Sequence, residues 1–238
     1  EWEAPLLRIG LIANPASGKD IRRITMGARV VPHQEKANII ARVIAGATAV
    51  AETEFWVMPD ASGLSRKIEE QADWRDTLHA VTEMVRQRVQ VIVALGGDGT
   101  SRIVAKASAG TPILPISTGT NNVFPRMIEG TVAGLAAARV AARGDAARQV
   151  CRRAPRLEIV DAAGEVVDIA LVDIAVVRSD LRGALAVWDP DDIHAAFVTA
   201  ARPDVIGLSA IAGRVAPPGE PARITLGPGG REIQAAIG

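Results

Sequence analysis

Val89–Thr100 reads VQVIVALGGDGT, and its opening apolar run decides the fold class. A continuous apolar stretch rich in β-branched residues is the pattern of a strand buried on both faces. Val89–Leu95 is that strand, GGDGT follows, and Ser101–Ser108 reads as a short helix. The same grammar recurs outward from it. Upstream, Leu6–Ala13 (LLRIGLIA) is a second buried strand, stopped by Asn14-Pro15; Glu35–Val50 carries apolar residues at helical spacing; Phe55–Met58 is a third strand, ended by Pro59-Asp60. Asp76–Arg88 places Leu78, Val81, Met84 and Val85 on one helical face, with Asp76 positioned to cap its start. Downstream, Pro112–Ile116 is a strand, STGTNN a polar loop, and Gly130–Ala142 an Ala-rich helix. Strands alternating with helices predict an α/β N-terminal domain built on a parallel sheet.

After about Arg148 the pattern changes. Arg156–Val160, Val166–Val177, Ile206–Ile211 and Ala222–Leu226 read as strands separated by Gly and Pro, and the residues just before Gly238 read as an edge strand. This predicts a β-rich C-terminal domain, with residues 1–145 forming the first domain and 146–238 the second. Between Ser65 and Asp76 the chain passes from ASGLSRKI to EEQADW with no strand, where a doubly wound sheet would place one. A missing segment is expected there, and Glu1 in place of Met reads as a trimmed sequence.

Composition narrows the function. With 27 basic and 27 acidic residues the chain is formally neutral, which argues against a protein that coats nucleic acid or an anionic membrane. Cys151 is the single cysteine, so no intrachain disulfide or Cys-rich metal site can form; beside Arg148, Arg152 and Arg153 it reads as a structural thiol. No apolar run approaches the roughly 18 residues of a membrane-spanning helix. No secretory leader is evident, and a cytoplasmic location is expected. His33, His79 and His194 lie far apart, without metal-ligand spacing.

The chemistry gathers in two loops that follow successive strands, where open α/β sheets bind ligands. In Gly96-Gly97-Asp98-Gly99-Thr100, glycines let the backbone approach a phosphate, the following helix N-terminus favours an anion, and Thr100 adds a hydroxyl. Asp98 would repel phosphate, so it serves another purpose. It accepts a proton from an attacking hydroxyl, holds a metal ion, or caps the helix at Ser101. Ser117-Thr118-Gly119-Thr120-Asn121-Asn122 supplies hydroxyls and amides at the same sheet edge. A third loop, Asn14–Lys19 (NPASGK), follows the first strand. P-loop, dinucleotide-fold and G-x-S-x-G signatures are absent.

GGDGT, with NPASGK before it and PISTGTNN after it, resembles the superfamily of NAD kinases and diacylglycerol or sphingosine kinases. Within that superfamily the chain is most similar to the ATP-NAD kinase-like family of acetoin catabolism protein X. The resemblance is strongest over Arg8–Lys36 and Asp76–Ala142, and extends to WDPDDIHAAFVTAARPDVIGLSAIAG. It implies an N-terminal α/β domain and a C-terminal β-sandwich-like domain with the active site between them. It implies Asp98 as the catalytic carboxylate. Asn14, Ser17, Gly18, Gly96, Gly97, Gly99, Thr100, Thr118, Gly119, Thr120 and Asn122 would bind nucleotide, and Asn121 and Asp173 would bind substrate. NAD kinases carry an Asn-acid pair for the NAD ribose; here Asp173 matches the acid and Val172 stands in place of Asn. Val123 replaces the aspartate that follows G-T-x-N in lipid kinases. The implied function is an ATP- and Mg2+-dependent kinase acting on a hydroxyl of NAD or another small soluble molecule, as a homo-oligomer with no nucleic-acid or membrane partner. The alternatives are a lipid or polyol kinase of the same superfamily and a nucleotide-sensing regulator without turnover.

Overall fold

The computed structural model describes residues 6–13, 33–58, 74–119, 121–177, 187, 189–227 and 233–237. The segment expected to be missing between Ser65 and Asp76 falls largely outside the described residues. The chain divides into two compact units, Glu1–Arg153 and Ala154–Gly238.

The first unit is a parallel sheet of β1 (Leu7–Ala13), β2 (Thr53–Val57), β3 (Val91–Gly96) and β4 (Ile113–Ser117), in the order β2-β1-β3-β4. Four helices of this unit cover it: α1 (His33–Thr48), α2 (Trp74–Arg86), α3 (Asp98–Ala107) and α4 (Gly130–Ala141). Alternate side chains point to opposite faces of a strand, and both faces here are dry. Leu7, Ile9, Leu11, Val91, Val93 and Leu95 join one core with α1 and α4. Ile12, Ile92 and Ala94 join another with Val81 and Met84 of α2 and Val104 of α3. Two apolar faces are why β1 and β3 read as unbroken hydrophobic runs. Pro115 is tolerated in β4 because β3 is the one named strand that pairs with it among the described residues, and its outer side carries only an isolated bridge at Arg126.

Helices α1 and α4 pack backbone against backbone. A Cβ on Gly134 would run into the Val43 carbonyl, one on Gly46 into the Thr131 carbonyl, and one on Gly130 would sit 2.7 Å from Ile39 O. The matches run in the same sense along both helices, so α1 and α4 are parallel, with their N-termini at the same end. At that end Arg42 bridges Glu35 of α1 (2.9 Å) and Glu129, the N-cap of α4 (3.2 Å). Backbone N–H groups of Thr131 and Val132 hold the Glu129 carboxyl below its usual range, and a hydrogen bond from Arg42 does the same for Glu35.

Several expected elements differ. Helix α3 begins at Asp98 rather than Ser101, because the Gly97 carbonyl already accepts from Ser101 N (3.0 Å) and Ser101 Oγ (3.1 Å). Helix α2 begins at Trp74, so Asp76 lies inside its first turn instead of capping it.

The second unit contains a hairpin, β5 (Leu157–Val160) with β6 (Val166–Ala170), and an antiparallel sheet in the order β10-β9-β8-β7. Its strands are β7 (Asp173–Val177), β8 (Ile193–Val198), β9 (Ala222–Leu226) and β10 (Ile233–Ile237). The expected strand Val166–Val177 is broken at Leu171-Val172. There Thr199 Oγ1 donates to both carbonyls, at 3.0 and 3.1 Å, and Thr199 N donates to Val172 O at 2.9 Å. The expected strand Ile206–Ile211 is instead a turn and a short helix, α5 (Leu208–Ala212). Gly207 at φ +75° is the N-cap of this helix, and Ser209 and Ala212, three residues apart, share the buried side. Among the described residues no helix is long and apolar enough to cross a membrane.

The seam between α1 and α4 generates a prediction. Gly→Ala inside a helix ordinarily stabilises by about 1 kcal/mol. At Gly134 the added methyl meets backbone that cannot rotate away, and overpacking of that kind costs about 1–3 kcal/mol. Gly134→Ala is therefore expected to lower the unfolding free energy in chemical denaturation; a gain in stability would refute the close packing of these helices.

Candidate active site

Strands β3 and β4 end side by side, with Gly96 paired to Ser117. The chain turns there into two loops. Gly96 closes β3, Gly97 is the N-cap of α3, and Asp98, Gly99 and Thr100 form its first turn. Gly97 has no side chain with which to cap the first-turn N–H groups, so they receive no acceptor from that position. Thr100 is buried and lies against Gly96, where any Cβ would overlap its side chain. This contact explains the glycine at 96.

Gly99 is different. It is exposed, and a Cβ built on it meets nothing within 4 Å among the described residues. A glycine in a helical turn costs about 1 kcal/mol relative to alanine, and the packing gives no reason for it. Space is open above it.

The second loop is stitched to the first. Thr118 N donates to Gly96 O at 3.2 Å. The Asp98 carboxylate accepts from Val123 N (3.1 Å to each oxygen) and from Phe124 N (2.8 Å to Oδ1). Further on, Ser117 N donates to Arg126 O at 2.8 Å, so the returning chain covers the outer edge of β4. Within the loop Ser117 Oγ donates to Gly119 O at 2.7 Å, and Asn122 Nδ2 donates to Ser117 Oγ at 2.8 Å and to Gly119 O at 3.3 Å. Thr118 Oγ1 is buried and makes no hydrogen bond among the described residues. Leaving a buried hydroxyl unpaired costs about 1–3 kcal/mol, which marks this atom as poised for something from outside the chain.

Of the residues expected at the site, Gly96, Gly97, Asp98, Gly99, Thr100, Thr118, Gly119, Asn121 and Asn122 are brought together at this edge. Asn14, Ser17, Gly18 and Thr120 lie outside the described residues; β1 delivers the chain to the same edge at Ala13, which pairs with Leu95. Asp173 belongs to the second unit, where it opens β7 opposite Val198. Sequence reasoning missed the Val123 and Phe124 amides, since backbone donors carry no residue signature. It also missed Ser117 as the hub of the second loop and Thr199 as the residue that shapes the bend before Asp173.

Among the described residues no group of three or more His, Cys, Asp or Glu is arranged to hold a metal ion. Mg2+ typically takes one or two carboxylates and completes its shell with substrate phosphates and water. Asp98 is the carboxylate within the two loops. The open space at Gly99, the unpaired Thr118 hydroxyl and the helix N-terminus at Gly97 fit a phosphate chain.

Comparison with known proteins agrees with the fold. Residues 9–144 match the ATP-NAD kinase N-terminal domain, and residues 155–238 match the acetoin catabolism protein X C-terminal domain. The chain is 35% identical to acetoin catabolism protein X of Cupriavidus necator over 236 residues, covering 89% of this chain and 66% of that relative. With its parallel sheet, its GGDGT loop and both domain matches, the chain belongs to the ATP-NAD kinase family, carrying a C-terminal domain of the acetoin catabolism protein X type.

Proposed function

We propose that the chain is an ATP-dependent kinase that transfers a phosphoryl group to a hydroxyl of a small soluble acceptor, with NAD the first acceptor to test (NAD + ATP to NADP + ADP). The observation that carries this reading is the pairing of two small-residue loops at one sheet edge, with a single carboxylate between them. Phosphoryl transfer asks a protein mainly for positioning and charge stabilisation. Gly97, Gly99 and Thr118 would cradle the phosphate chain, with Thr100 holding the first turn in shape. Asp98 would orient the acceptor hydroxyl and take its proton as the new O–P bond forms. Mg2+, bound with the nucleotide, would neutralise phosphate charge.

Val172, in place of the Asn of the ribose-binding pair, favours acceptors other than NAD. The name of the Cupriavidus relative adds small diols and hydroxyketones to the panel. The same substitution supports a second reading, a nucleotide-sensing regulator without turnover. Assembly as a homo-oligomer is part of the proposal: Met127, Val132 and Leu135 expose apolar surface around the start of α4. Light scattering at micromolar concentration is expected to give a mass above one chain, and a monomer would remove that part.

Two experiments test the site. ADP release is measured with Mg-ATP against NAD, NADH, diacylglycerol and small diols, beside thermal shift with Mg-ATP. Stabilisation by Mg-ATP is expected, since a ligand that binds only the native state raises its stability; no shift with any nucleotide would sink the nucleotide site. ATP stabilisation with no turnover on any acceptor would leave the regulator. Because Asp98 also holds the second loop, Asp98→Asn is read by two measurements. A proton-accepting role predicts kcat lower by about 10²–10⁴ with nucleotide binding kept, whereas a role confined to tying the loops predicts that binding and turnover fall together.

Gly99→Ala separates fold from function at one atom. The helix propensity of alanine should raise stability by about 0.5–1 kcal/mol, while the methyl fills the open space and weakens Mg-ATP binding. A variant that is more stable and binds Mg-ATP as well as the parent would remove Gly99 from the site.

A further inference from the structure

The hairpin of the second unit has an unmatched edge. Strand β5 pairs with β6, and no described residue pairs with its other side. Ile159, Val160 and Val166 of this hairpin are exposed. A bare edge is a template for another strand, and two strands alone are marginally stable in water.

Proline and charged residues on an edge usually block such pairing, and the approach to β5 carries Pro155, Arg156 and Glu158. Their placement gives a different result. Asp161 N donates to Glu165 O across the hairpin at 3.0 Å. In an antiparallel pair the backbone groups of successive residues face alternate sides. From Ile159 to Val160 the opposite residue moves from Asp168 to Val166, so the extra residue lies in β6 and the alternation of β5 is unbroken. Asp161, Ile159 and Leu157 therefore turn their N–H and C=O groups toward β6, while Val160 and Glu158 turn theirs outward. Arg156 Nε donates to Glu158 Oε1 at 2.8 Å, so both side chains share a face and the alternation reaches back to Arg156. Pro155 has the parity of Leu157, and the N–H it lacks is one the outer edge does not use.

The charges fix the partner. When a strand pairs antiparallel with its own copy, outward groups must meet outward groups, so the two-fold axis falls on a residue. An axis at Arg156 sets that arginine against itself, and an axis at Glu158 sets two glutamates together; like charges directly opposite are destabilising. An axis at Ile159 leaves Glu158 opposite Val160. An axis at Leu157 sets Arg156 of each copy opposite Glu158 of the other, at positions whose backbone groups face outward. It also sets Leu157 against Leu157 and Pro155 against Ile159. One face of the joined strands is then apolar, and the other carries two ion pairs. We propose that β5 is a self-pairing edge: two copies of the chain join through it, antiparallel about Leu157, into a four-stranded sheet ordered β6-β5-β5-β6. The inference rests on the homo-oligomer part of the proposed function and gives it an interface.

Sedimentation velocity over a concentration series is run on wild type, Glu158→Arg, Arg156→Glu and the double reversal, with a melt of each to check folding. Wild type is expected to dimerise. Either single reversal puts like charges opposite at both pairs and should raise the dimer dissociation constant about tenfold, and the double reversal should restore it. The ion pair within one chain is exposed and contributes little to folding, so the single variants should melt close to wild type. The register is read by cross-linking in a Cys151→Ser background. Leu157→Cys sets two thiols directly opposite, at a Cα separation of about 4.5 Å that a disulfide can span, and mild oxidation should link the dimer; Ile159→Cys, two residues off the axis, should not link. If a reversal fails to fold, the cross-link decides. An oligomer that ignores the reversals, or one that links through Ile159→Cys and not Leu157→Cys, overturns this interface and leaves the homo-oligomer standing. Wild type that stays monomeric overturns both and leaves the kinase reading untouched.

Discussion

The bonds from the backbone N–H groups of Val123 and Phe124 to the Asp98 carboxylate are the constraint on which the site depends. One carboxylate at the first position of α3 reaches across to a loop about 25 residues later in the chain. Amide bonds to an ionised acceptor are about twice as strong as neutral ones. They fix where the second loop runs after β4, and so where Thr118, Gly119 and Asn122 stand relative to GGDGT. The acid that looks out of place in a phosphate loop is the group that joins the two loops.

Glycine has two separate meanings in this chain. Gly10, Gly46, Gly96, Gly130 and Gly134 are explained by the fold, because a side chain on each would strike Met84, the seam between α1 and α4, or Thr100. Gly99 is explained by none of the described residues. A fold has no reason to accept the entropy of a helical glycine facing open space, whereas a site that admits a phosphate against backbone does. The same logic applies to Thr118, a local choice that the empty fold would improve upon, and such choices gather where a protein gives up stability for function.

The sequence disclosed the first unit well because its signals are local. An unbroken apolar run such as Val91–Leu95 has few readings other than a doubly covered strand, and the glycines mark where it turns. The second unit was less legible. In β8, Ala195 and Ala196 are both buried, so the alternation that announces a strand is lost. The break at Leu171-Val172 is imposed by Thr199, 27 or 28 residues away, and no local pattern could reveal it. Asp98 was recognised as exceptional, but its partners were invisible because they are backbone amides.

On the proposed reading the two units divide the work. Phosphate is recognised by backbone N–H groups, small residues and charge, features that recur wherever a strand ends in glycines, and the first unit supplies them. A particular hydroxyl-bearing acceptor requires side chains of specific shape. On the proposed reading those lie near the bend before β7, where Thr199 takes up the carbonyls of Leu171 and Val172 and sets the register in which Asp173 begins its strand. Valine at 172 cannot offer the amide that a ribose would need, while Thr199 holds the carbonyls on either side of the bend. On the proposed reading, a bend held in shape without that amide fits an acceptor other than NAD.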